Sequence, residues 1–129
     1  MDEHALQCQV VTALRAGAAR GAVGLPLVAA VPNQLIRQSK IGTKARAARE
    51  GLVSGFPDLL VIYRGRLMCI EMKSPSRAGK AETGLSANQR AVIADLVSHG
   101  VETVVSKSFD LCVEQVRSWM AAVDQDFLH

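Results

Sequence analysis

Residues 55–75, GFPDLLVIYRGRLMCIEMKSP, decide how the chain is read. Two apolar runs, DLLVIY at 58–63 and LMCIEM at 67–72, flank Arg64-Gly65-Arg66 and predict a buried β-hairpin. Asp58 heads one strand, while Glu71 and Lys73 close the other, and charge in a strand interior is costly to desolvate. If Arg64-Gly65 form a two-residue turn, paired residue numbers sum to 129 and Asp58 falls opposite Glu71. Opposed residues share a face with Cβ atoms about 4.5–5.5 Å apart, and the period of two puts Lys73 on that face too. Two opposed carboxylates repel, and a divalent cation between them removes the conflict. Two alternatives stay open here. A three-residue turn shifts the partner of Asp58 to Met72, and Asp58 could simply cap a strand while Glu71 and Lys73 form a same-face ion pair.

Working outward, DEHALQCQVVTALRAG at 2–17 carries Leu6, Val10, Ala13 and Leu14 at helical spacing, with Asp2 able to cap and Gly17 able to terminate. LVAAV at 27–31 predicts a short strand stopped by Pro32-Asn33, and TKARAAREG at 43–51 a short basic helical segment. SPSRAGKAETG at 74–84 is rich in turn formers and reads as a mobile loop. Ser86 opens a helix with Ile93, Leu96 and Val97 as its apolar face and Gly100 at its end. VETVVS at 101–106 predicts a strand, and FDLCVEQVRSWMAAV at 109–123 a final amphipathic helix. The order predicts an α/β fold with a mixed central sheet of about four strands. Because the hairpin is apolar at nearly every position, helices should flank that sheet on both faces.

At 129 residues the chain fits one domain, 1–129, able to bury roughly two-thirds of its unfolded surface. Three cysteines, Cys8, Cys69 and Cys112, without C-x-x-C spacing indicate neither a disulfide framework nor a zinc cluster and suit a reducing cytosol. No His pair has zinc spacing either, and Cys69 reads as a small buried hydrophobe. The apolar segment at 22–32 is far shorter than the ~20 residues a membrane span needs, and the start of the chain lacks a basic leader. A soluble cytoplasmic protein is expected. Net charge is only +3, yet residues 37–80 hold ten of the 15 basic and three of the 12 acidic residues, so this segment carries +7. That asymmetry suggests a polyanion-facing surface, although a solvated basic face would look the same. Aromatics at 4% give little support to a stacking platform for single-stranded bases.

Pro57-Asp58, thirteen residues later Glu71-Met72-Lys73, resembles the PD-(D/E)xK nuclease signature. The wider run G-x-P-D-L-L-V-I, I-E-M-K-S, G-L-S-x-x-Q and H-G-V-E-T-V-V-S resembles the virus-type replication-repair nuclease (VRR-NUC) family, especially its stand-alone phage and bacterial members. Val31-Pro32-Asn33 and Glu3 extend the likeness upstream.

The resemblance implies a restriction-endonuclease-like core in α-β-β-β-α-β-α order. It implies that Asp58 and Glu71 bind Mg²⁺ or Mn²⁺, with the backbone carbonyl of Met72 as a third ligand and Lys73 as the catalytic lysine. Gln89 would lie near the water or scissile phosphate, and Glu3 would reach the metal or its water. Other readings compete for three of these residues. Ser86-x-x-Gln89 is a capping box, Glu3 suits a helix dipole, and Asn33 suits a turn. Lys40, Lys44, Arg46, Arg49, Arg77 and Lys80 would grip DNA phosphates. The implied activity is metal-dependent, structure-selective DNA endonuclease action, like that of a Holliday-junction resolvase working as a homodimer. A non-catalytic nucleic-acid-binding module on the same fold is the alternative, and a small α/β interaction protein with structural hairpin charges is a third.

Overall fold

A computed structural model of the chain describes residues 2–32, 45–46, 48–75, 79 and 81–128. The elements run α1 (Glu3–Arg15), β1 (Leu27–Ala30), β2 (Leu59–Tyr63), β3 (Arg66–Met72), a 3₁₀ turn (Ala81–Gly84), α2 (Ala87–Ser98), β4 (Glu102–Ser106) and α3 (Phe109–Asp126). The strands form one sheet in the order β1-β2-β3-β4. β1–β2 and β2–β3 pair antiparallel and β3–β4 parallel, so the sheet is mixed as the sequence predicts. Within 74–84, expected as a loop, the chain closes a 3₁₀ turn at Ala81–Gly84. Of the basic segment at 43–51, residues 45–46 and 48–49 are helical.

The hairpin register follows from its turn. Tyr63 pairs with Arg66, Val61 with Met68 and Leu59 with Ile70, which is the two-residue-turn register. Arg64 (φ 51°) and Gly65 (φ 75°) are both left-handed, as a type I′ turn requires for its twist to match the strands. Arginine is a poor residue for that conformation. Its guanidinium is held by Asp124, 3.0 Å away, and stacks 4.6 Å from the centre of the Phe127 ring.

Asp124 also accepts hydrogen bonds from the Ala22 N–H (2.9 Å) and the Tyr63 hydroxyl (2.7 Å). Three remote segments therefore meet at one carboxylate near the end of α3, and the helix runs three residues past its predicted end at Val123. The Ala22 N–H, then the Tyr63 hydroxyl, lower the Asp124 pKa; desolvation opposes them, and Arg64 adds to the lowering. A carboxylate whose folded pKa lies below its unfolded value stabilises the fold above the unfolded pKa and loses that contribution as pH falls through the folded pKa. Asp124→Asn should accordingly lower the thermal midpoint at neutral pH. The gap to the unaltered protein should close on acidification, as a pH series of melting curves would show.

The two faces of the sheet are covered unequally. Leu59, Val61, Tyr63, Met68, Ile70 and Met72 point to one face and pack with Leu6, Val10 and Leu14 of α1 and Cys112, Val116, Met120 and Val123 of α3. This is the core. α2 lies over the other face, toward which Glu71 points, and buries none of its residues fully. Its expected apolar face is only partly used: Ile93 and Leu96 are half-buried, but Val97 is exposed. Ile62 on the same side of the hairpin is 38% exposed, so this face is a shallow ledge rather than a second core.

Candidate active site

At the ends of β2 and β3 away from the turn, strand geometry gathers the charges that the hairpin sequence carries. Asp58 sits in a bend one residue before β2, where its carbonyl accepts the Val31 N–H (2.8 Å) and its Oδ2 accepts the Met72 N–H (2.9 Å). One step beyond the Leu59–Ile70 pair, the register sets Asp58 across from Glu71. Glu71 is 1% exposed and Lys73 6% exposed. Lys73 Nζ lies 3.7 Å from Glu71 Oε1, and the Lys73 N–H donates to the Ser106 carbonyl of β4 (2.8 Å). Burial at this level strengthens their attraction, while both charges have been taken out of water to obtain it.

Gln89 ties this pair to α2. Its Nε2 donates to Glu71 Oε1 (2.8 Å), and its Oε1 accepts both from Lys73 Nζ (3.0 Å) and from the Ser86 N–H (2.9 Å). Ser86 Oγ in return accepts the Gln89 N–H (3.1 Å), completing the capping box. Capping and site contact are therefore not alternatives: one side chain does both, and the cap fixes the rotamer that reaches Glu71 and Lys73.

Gly55 sets how close α2 can come. It has φ +87°, and a Cβ there would lie 2.7 Å from the Asn88 carbonyl carbon and 2.9 Å from the Gln89 nitrogen. Neither is a flexible tip, so the backbone of α2 would have to retreat. Gly55→Ala should cost roughly 2 kcal/mol from left-handed strain and this clash. Urea denaturation would read that loss. Because the first turn of α2 is what moves, contacts of Gln89 should weaken together with stability.

The remaining expected residues are placed differently. The loop after α1 reaches Tyr63 and Asp124 at the turn end of the hairpin, through the N–H groups of Ala22 and Val23. Glu3 is half-buried, and among the described residues no hydrogen bond joins it to Asp58, Glu71, Lys73 or Gln89. Arg46 is exposed and pairs with Glu50 (2.9 Å), and Arg49 is exposed. Asn33, Lys40, Lys44, Arg77 and Lys80 lie outside the described residues.

Sequence reasoning missed Ser106, Lys107 and the spacing role of Gly55. Ser106 is buried beside Lys73, and Lys107 Nζ donates to the Gly79 carbonyl. Neither could be found without knowing that β4 pairs parallel to β3. Cys69 is fully buried in the sheet, and burial pushes its thiol up to about 11, which leaves it a protonated hydrophobe at neutral pH.

What the site could hold follows from its donors. Among the described residues no cluster of three His, Cys, Asp or Glu side chains could bind a metal. Asp58 and Glu71 bring two carboxylates, so a third protein oxygen has to come from the backbone. Met72 can supply it. The Lys73 N–H faces β4, so by alternation the amide and carbonyl of Met72 face β2, as the bond to Asp58 confirms. The register sets residue 57 opposite Met72, and residue 57 is proline, which has no N–H to give that carbonyl. An all-oxygen set of two carboxylates and a carbonyl suits a hard divalent cation such as Mg²⁺.

Among known families, the model described as the VRR-NUC domain matches residues 26–110. No curated protein and no solved structure matches the chain. The matched span runs from just before β1 into the start of α3, and takes in Asp58, Glu71, Lys73 and Gln89 while leaving Glu3 outside.

Proposed function

Since the chain belongs to the VRR-NUC domain family and is a nuclease-type domain, we propose that it is a metal-dependent DNA endonuclease whose site is Asp58, Glu71, Lys73 and Gln89. One observation carries the reading: a nearly fully buried Glu71–Lys73 pair, bridged by Gln89, ends β3 directly across from Asp58. A purely structural ion pair needs no second carboxylate opposite it.

Asp58, Glu71 and the Met72 carbonyl would hold Mg²⁺ or Mn²⁺. Such an ion, when bound, polarises a phosphoryl oxygen and makes a coordinated water a better nucleophile. The chain does the rest. Lys73 Nζ, held between Glu71 and Gln89, would present positive charge and donors where negative charge develops on the phosphate. Gln89 holds Lys73 and Glu71 in one geometry, so neither pays a reorganisation cost during the reaction. Glu3, in the first turn of α1, would act as a supporting acid able to reach the metal or its water. Arg46 and Arg49, with Lys40, Lys44, Arg77 and Lys80, would neutralise backbone phosphates and make binding fall steeply with salt.

Branched DNA, four-way junctions above all, is the substrate this reading favours. A homodimer acting in the cytoplasm would address two symmetric strands with its two sites. The test is to incubate the protein with a four-way junction, a flap, a duplex and a single strand in Mg²⁺, Mn²⁺ or EDTA. Symmetric nicks confined to the junction and abolished by EDTA are the expected result. Binding to all four without cleavage under any metal would instead make the chain a non-catalytic nucleic-acid-binding module.

A further inference from the structure

We infer that Pro57 is a positioning residue of the metal site, acting by the N–H it lacks: it denies the Met72 carbonyl a hydrogen-bond donor from the β2 side and so leaves it open to a divalent cation. This rests on the metal-site reading proposed above.

Ladder parity decides which backbone groups of β3 face β2. In an antiparallel pair, alternate opposed residues exchange two hydrogen bonds, each N–H reaching the other's carbonyl. Lys73 points its N–H to Ser106 on β4, so Met72, Ile70 and Met68 point theirs to β2. Leu59–Ile70 and Val61–Met68 are then bonded pairs, and the next bonded position would be residue 57 with Met72. Both halves of that last rung are missing for reasons written in adjacent residues. Pro57 cannot donate to the Met72 carbonyl, and the Met72 N–H is taken by Asp58 Oδ2 at 2.9 Å in place of the residue 57 carbonyl.

Pro57 and Met72 are both fully buried, so this open rung is shielded from bulk water. A buried backbone carbonyl that its ladder partner gives no donor, and that accepts no other hydrogen bond among the described residues, carries a desolvation penalty that a cation relieves. Any other residue at 57 has an N–H and could close the rung. Asp58 and Pro57 thus make one device: the aspartate diverts the amide half of the rung and takes up a position beside the carbonyl, and the proline leaves the carbonyl half vacant.

The experiment compares the unaltered chain with Pro57→Ala, Pro57→Gly and Asp58→Asn, using Mn²⁺ and Mg²⁺ alone as probes. Calorimetry should show metal affinity weakened roughly 10–100-fold in both position-57 variants, the scale seen when a partner of a metal ligand is altered. Amide exchange by NMR gives an independent readout. The new N–H at residue 57 should be protected without metal, and its protection should fall as Mg²⁺ is added, because cation and N–H compete for one oxygen. Unchanged Mn²⁺ affinity in both variants, or a freely exchanging amide at 57 without metal, would overturn the inference. The metal-site reading fails separately, and takes this inference with it, if the unaltered chain binds no Mn²⁺ or if Asp58→Asn binds it equally well. Should Pro57→Ala fold poorly, Pro57→Gly supplies the same N–H without adding a side chain to the buried position.

Discussion

Asp58→Asn should abolish Mg²⁺-dependent cleavage, by at least about 100-fold, while leaving the fold and DNA binding intact. Asparagine keeps an oxygen that can accept the Met72 N–H, so the contact at the end of β3 survives. What it removes is the proposed anionic ligand, and altering even an outer partner of a metal ligand costs roughly 10–100-fold. Cleavage of a labelled four-way junction, with melting curves and gel-shift binding on the same preparations, measures all three properties. Unchanged cleavage by a clean preparation would remove Asp58 from the site. Loss of folding would instead mark it as structural.

Lys73→Met should have the largest effect on stability. Glu71 and Lys73 are both nearly fully buried, 3.7 Å apart, and share Gln89. Removing one partner of a buried ion pair leaves an uncompensated charge and costs about 3 kcal/mol. For a chain of this size that corresponds to a fall in melting temperature on the order of 10 °C. Glu71→Gln/Lys73→Met removes the stranded charge and should recover most of the loss, because a neutral replacement of a buried pair is often close to isoenergetic. Neither protein should cleave DNA. A single variant as stable as the unaltered chain would show that the pair has no electrostatic coupling, and Lys73 would then lose its proposed place beside Glu71.

The hairpin explains why so much of the site is legible in residues 55–75. Side chains in a strand alternate with a period of two, and a two-residue turn leaves only one register. Asp58, Glu71 and Lys73 are thereby brought together by covalent spacing alone. Ser86-x-x-Gln89 was legible as a cap for the same reason: its partners lie three residues apart. Glu3 is different. Its helix is clear in the sequence, but its distance from the hairpin is a matter of how α1 packs, and it shares no hydrogen bond with the site among the described residues.

The sequence by itself determined the main helices and strands and their order, and it limited the hairpin to two registers, because each depends on local geometry repeated over a few residues; the left-handed Arg64-Gly65 turn then selected the register that faces Asp58 with Glu71. Tertiary structure alone decided that β4 lies parallel to β3 and offers the Ser106 carbonyl to Lys73. It also decided that Asp124 gathers Ala22, Tyr63 and Arg64, and that α2 rests on Gly55 closely enough for its capping glutamine to reach across to Glu71 and Lys73. Those contacts join residues 16 to 102 positions apart. No local pattern specifies such separations; they follow only when the packing of helices on the sheet closes the loops between them.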